Sequence, residues 1–97
     1  QAVQWYRKAA EQGDDSAQNN LGMMYANGQG VRQDDAQAVQ WYRKAAEQGN
    51  VEAQHNLGAM YANGQGVRRD HKIAKEWLGK ACDNGLQQSC DAYRTLD

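Results

Sequence analysis

The stretch AVQWYRKAAEQGNVEAQHNLGAMYANGQG, Ala38–Gly66, decides the fold, because it stands almost unchanged at Ala2–Gly30, 36 residues earlier. A fixed period of this size is the signature of an array of small structural units. Laid over one another, Gln1–Ala36 and Gln37–Lys72 differ at eight positions, leaving 28 of 36 identical. Trp5, Trp41 and Trp77 share one phase, so a third copy begins at Ile73, diverges strongly and stops at Asp97. The expected organisation is one solenoid domain over residues 1–97: repeat one at 1–36, repeat two at 37–72, and a C-terminal capping unit at 73–97.

Inside repeat two, Ala38, Trp41, Tyr42, Ala45 and Gly49 follow the spacing of one helical face, and Gln40, Arg43, Lys44 and Glu47 fall opposite. This predicts a first, A-type helix over about Asp35–Gln48. Asp34 is its N-cap, with Gln37 placed for a capping box, and Gly49 is its left-handed stop. Asn50 restarts a B-type helix over about Val51–Asn63, with Ala53, Leu57, Met60 and Tyr61 as its apolar stripe. Gly64-Gln65-Gly66 then forms a turn suited to glycine, and Val67 is expected to plug into the core beside the next A helix. Gly58 and the alanines are small where helices must approach closely. The same pattern predicts helices at about Ala2–Gln12 and Asp15–Asn27, then at about His71–Asn84 and Gln87–Leu96. Each unit is an antiparallel hairpin that cannot bury its aromatic stripe alone, and stacking hairpins hides it. The fold class expected is all-α: an α/α superhelical solenoid of about six helices. The three tryptophans, recurring on the apolar face, are expected in the core, with Trp5 the one open to solvent.

Composition narrows function. Net charge is −1, so no global field recruits nucleic acid or an anionic membrane. A mean hydropathy of −1.01 raises disorder as an alternative, but the periodic Trp, Tyr and Leu argue against it. No apolar run is long enough to span a bilayer. The chain opens inside a repeat and without Met, so it is expected to be a piece of a longer protein, with any targeting segment outside it. The uncapped N-terminal end, with Trp5 and Tyr6, is a candidate surface for self-association.

The residues Ala38, Trp41, Ala45, Ala46, Gly49, Ala53, Leu57, Gly58, Tyr61, Gly64, Gly66, Val67 and Asp70 resemble the Sel1-like repeat. Repeat one supplies the same set between Ala2 and Asp34, and in the third unit Leu78 and Gly79 replace Tyr and Arg. The resemblance implies an α/α superhelix related to tetratricopeptide arrays and a role as an adaptor that binds a protein or peptide. That family shares no catalytic site and no cofactor, so none is carried over.

Cys82 and Cys90 take the positions of Ala46 and Gln54, across the turn of the third hairpin, a reasonable distance for a disulfide. Two buried free thiols are the alternative; a metal site lacks ligands, since His55 and His71 show no ligand spacing. The arrangement also resembles the cysteine-rich branch of secreted bacterial Sel1-like proteins, which bridge each hairpin with this spacing. A bridge implies an oxidising compartment, periplasmic or secreted, with the cytoplasm as the alternative.

Catalytic machinery is thin: Ser16 and Ser89 head no S-x-x-K or G-x-S-x-G motif, and nothing in the sequence places a nucleophile beside a base. A β-lactamase-like or penicillin-binding hydrolase is therefore the rival reading, and no enzyme is expected. A second rival is a structural array whose binding surface lies upstream. The partner-binding candidates are the charged faces of the A helices: Gln4, Arg7, Lys8 and Glu11, with Gln40, Arg43, Lys44 and Glu47 one rung above. Solvation, with i, i+4 pairs such as Arg43–Glu47, is the plainer account of these charges. Arg68, Arg69 and Lys72 gather near the N-terminus of the third A helix, where an acidic partner group would be favoured. His55 is read as packed or half-exposed, and Asn20 and Asn56 as bonding nearby backbone.

Overall fold

The computed structural model describes residues 2–96, and they form six helices. They are α1 (Ala2–Glu11), α2 (Asp15–Asn27), α3 (Asp35–Glu47), α4 (Val51–Asn63), α5 (His71–Asp83) and α6 (Gln87–Thr95). The expected all-α architecture is found: each helix packs antiparallel on the next in an elongated stack of 40 × 24 × 16 Å.

Local chemistry sets the helix limits. Asp14, Asp34, Asn50 and Asp70 each accept a bond from the amide three residues on, satisfying one of the free N–H groups of a helix start. At Asp34 the capping box does not close. Its own amide instead donates to the Tyr25 carbonyl at 2.9 Å, and Asp70 repeats this bond to Tyr61 at 3.0 Å. Gly28 and Gly64 end the B helices in the left-handed conformation, at φ 68° and 69°.

Packing runs through two kinds of seam. Within a hairpin, Gln18 and Gln54 bury their amides and donate to the carbonyls of Ala10 and Ala46, 3.0 and 3.3 Å away. Between hairpins, glycine lets a B helix touch the next A helix. A Cβ on Gly22 would stand 2.8 Å from the Tyr42 ring, and one on Gly58 would stand 2.7 Å from Leu78 Cγ. The glutamines serve this seam too, accepting from Gln48 at 2.7 Å and from Asn84 at 3.2 Å. Leu21, Leu57 and Leu78 are fully enclosed between the layers, each burial contributing about 2 kcal/mol.

Trp5 is open to solvent as expected, but Trp41 and Trp77 are not in the core where the sequence pattern put them. Trp41 and Trp77 are half-buried at the edge of the core and Trp5 is 75% exposed. Helix α3 has neighbours on two sides, and Ala38, Val39, Tyr42, Ala45 and Ala46 fill both contacts. That leaves Trp41 at the margin, with the Lys44 ammonium 4.8 Å above its ring; Lys80 sits over Trp77 in the same way at 4.6 Å. Val67 lies half-buried against the core.

In the third hairpin Cys82 and Cys90 form a disulfide, with their Cα atoms 4.6 Å apart. By repeat register it joins the same two positions that Gln54 and Ala46 link by a hydrogen bond.

Candidate partner-binding face

The A helices and the loops that follow the B helices enclose an open groove. Along α3 it is floored by Ala36, Val39 and Val67, walled by Gln40, Arg43, Lys44 and Glu47, and has a volume of about 490 Å³. The loop reaches so far across because Gly66, at φ 73°, lies directly against the Asp35 carbonyl, where a side chain has no room. Four of the sequence-predicted residues thus share one concavity. An adjoining hollow of about 540 Å³ continues past Val67 to Tyr61, Arg68, Arg69, Asp70 and Ile73.

The charges in this groove are arranged rather than merely solvated. Arg43 does not pair with Glu47; its Nη2 donates to the Tyr61 hydroxyl at 2.6 Å, and its guanidinium lies 5.6 Å from that ring's centre. One repeat earlier, on α1 and outside both hollows, Arg7 repeats both contacts with Tyr25, at 2.5 and 5.7 Å. Both arginines are half-buried, whereas Gln4, Lys8, Glu11, Gln40, Lys44 and Glu47 are exposed. Among the described residues the only ion pair within 4 Å is Arg94–Asp91, so neither arginine has a carboxylate partner there. Around the third A helix, Arg68 and Arg69 line the adjoining hollow. Asp70 already caps Ile73 and occupies the helix N-terminus, and Arg69 Nε is bonded to His71 at 3.2 Å. Lys72 is exposed in the first turn of α5 and lies outside both hollows.

The Sel1 repeat family model matches residues 1–14, 15–50 and 51–86. The chain belongs to the Sel1 repeat family. The second and third matched segments each run from a B helix to the following A helix, the pair joined by a seam glycine, and the first covers α1 alone. A solved Sel1 repeat protein from Oxalobacter formigenes is 41% identical with a TM-score of 0.92, over 95% of this chain and 69% of that one. Helicobacter pylori cysteine rich protein B is 31% identical with a TM-score of 0.88, over 93% and 68%. The protective antigen c5321 of uropathogenic Escherichia coli strains is 49% identical with a TM-score of 0.90, over 91% of this chain. The chain spans 19% of that antigen's length. No curated protein matches.

The opposite, B-helix face of these Sel1 repeats carries features the sequence did not announce. Asn56 bonds across the repeats to Asn19 at 3.1 Å instead of to nearby backbone, and Asn50 reaches Asp15 at 3.0 Å. His55 Nδ1 and Ser89 Oγ lie 2.7 Å apart, a nucleophile type beside a base, contrary to the sequence reading. Ser89 is fully buried, so no substrate reaches it, and burial lowers the His55 pKa below its ordinary value. Among the described residues no group of His, Cys, Asp and Glu is arranged to hold a metal ion, and no helix is long and apolar enough to cross a membrane. The link between Gln18 and Gln48 was missed because a glutamine beside an apolar stripe reads as surface. Its recurrence as Gln54 and Asn84, one period on, is the signal that marks it.

Proposed function

We propose that this Sel1 repeat chain is a non-catalytic scaffold that binds a protein or peptide along its A-helix face. The observation that carries the reading is the groove on α3, where an apolar floor of Val39 and Val67 meets polar groups on its rim, with Arg43 held in place by Tyr61. A floor of this kind gives an extended segment apolar contact, and the rim sets its orientation. Burial of Ser89 beside His55 supports the non-catalytic part; turnover of a chromogenic β-lactam by the purified protein would overturn it. Peptides selected from a random display library should shift backbone amide resonances of Gln40, Arg43 and Lys44. Selected peptides that perturb only α2 and α4 would refute the assignment of the face.

The reading places the protein in the periplasm or outside the cell. Its supports are the Cys82–Cys90 bridge, the likeness to a cysteine-rich protein, and the likeness to a protein described as a protective antigen. Two alkylatable thiols in natively purified protein would remove the placement. Exposed Trp5 on α1 is a second contact surface, suited to self-association. A monomeric elution profile at high concentration would exclude that use.

A further inference from the structure

We infer that Arg7 and Arg43 are carboxylate-docking points, and that the occupant of the A-helix groove is an extended acidic peptide. The inference rests on the peptide-binding reading above and names the chemistry of its ligand. Three observations carry it. Each arginine is held by a tyrosine of the B helix eighteen residues later, through one Nη2 bond and the ring face, so its remaining N–H groups are free and fixed in direction. Each is half-buried with no carboxylate within 4 Å among the described residues, so partial desolvation is left without a counter-charge. The two pairs are related by the repeat, which presents the same group on successive rungs of one face.

The chemistry follows from the side chain. A guanidinium offers a planar fork that matches a carboxylate with two parallel bonds. Holding the fork in advance removes much of the ordering cost that an exposed arginine incurs on binding. The face as a whole agrees. The two hollows together carry Arg43, Lys44, Arg68 and Arg69 against Glu47 and Asp70, a local balance of +2 on a chain of net charge −1. A groove edged by carboxylates as well as cations fits a peptide better than a nucleic acid, whose phosphates need continuous positive charge.

The test uses two short labelled peptides, one alternating Asp and Ser and one alternating Asn and Ser, titrated into the protein by fluorescence anisotropy. The Asp/Ser peptide should bind, with affinity falling as salt rises, and the Asn/Ser peptide should not. The double variant Arg7→Gln/Arg43→Gln should lose about tenfold or more in affinity for the acidic peptide while keeping its helical circular dichroism. Tyr25→Phe/Tyr61→Phe, which keeps both cations but frees them, should lose less. Equal binding of the two peptides, no binding of the acidic one, or an unchanged affinity in the arginine variant would each overturn the inference. Tighter binding of a single-stranded DNA oligonucleotide than of the acidic peptide would do the same. Display-selected peptides that map to the groove but carry no Asp or Glu would leave the scaffold reading standing and remove only the acidic ligand.

Discussion

The second and third hairpins share a backbone plan and solve its problems with different atoms. In the second, Gln54 ties α4 to α3 through the Ala46 carbonyl and passes its oxygen to Asn84 of the next hairpin. In the third, the same positions are Cys90 and Cys82, joined covalently. The disulfide replaces the inward bond but has no oxygen to offer outward. The other differences point the same way. Gly58, the seat for α5, corresponds to Arg94 on α6, and the cap Asn50 corresponds to Leu86, which makes no side-chain cap bond. Arg43, held over the groove, corresponds to Gly79. The second hairpin is built to be packed on from both sides. The third is locked internally and presents no glycine seat to a further helix.

Several substitutions break or sharpen this contrast, and the largest effect belongs to the seam. Gly58→Arg copies the residue of α6 into α4, where even a Cβ meets Leu78 at 2.7 Å. Urea unfolding should show a loss of about 3 kcal/mol, the upper range for overpacking. A loss below the error of the measurement would mean that the α4–α5 seam is not tight.

Next comes the covalent link. Reducing Cys82–Cys90 should cost about 2.5 kcal/mol by the loop-entropy relation. Hydrogen exchange should quicken in α5 and α6 and leave α1–α3 unchanged. Cys82→Ala with Cys90→Gln writes the second hairpin's solution into the third and should recover about 1 kcal/mol of that. Failure to recover anything would show that the glutamine link depends on its neighbours.

Gln54→Leu should cost about 1–2 kcal/mol, because it strips the partner from Asn84 as well as its own bond to Ala46. Gln18→Leu should cost the same, since it holds the equivalent pair of bonds. Thermal melts of the two variants should therefore coincide.

The last effect is confined to alkaline pH and is absent at neutrality. Burial, with the Asp35 carboxylate adding to it, pushes the Tyr42 phenol up to about 12 from its ordinary 10.0. The folded state then keeps a proton that the unfolded chain releases, so Tyr42's contribution is whole below pH 10 and fades as pH rises toward 12. Tyr42→Phe should flatten that alkaline decline. The α4–α5 seam, with Leu78 at the corresponding place, has no such dependence there.

Some of this was legible in the chain and some was not, for reasons that individual residues make plain. Asp34, Asn50 and Gly64 act on backbone groups within a few residues of themselves, so they marked the helix limits directly. Gly58 was legible as a place of close approach, though not which helix it touches. Trp41 was misplaced because a stripe read on one helix does not say that the helix has two neighbours. Arg43 was assigned to Glu47, one turn away, when Tyr61 lies closer in space. The groove residues were gathered correctly because helical spacing puts Gln40, Arg43, Lys44 and Glu47 on one side of α3. That the loop at Gly66 crosses over to wall them in was not visible.

The sequence by itself determined the repeat, the helix ends, the hairpin stack and the register in which the cysteines meet, because each depends on periodicity or on bonds within a few residues. Tertiary structure alone decided that Trp41 and Trp77 stay at the edge of the core, that glutamines staple neighbouring hairpins, and that two arginines are held by tyrosines of the B helices. Those outcomes depend on which side chain wins a contact between elements distant in sequence, and that competition is settled by space and burial after the helices have met.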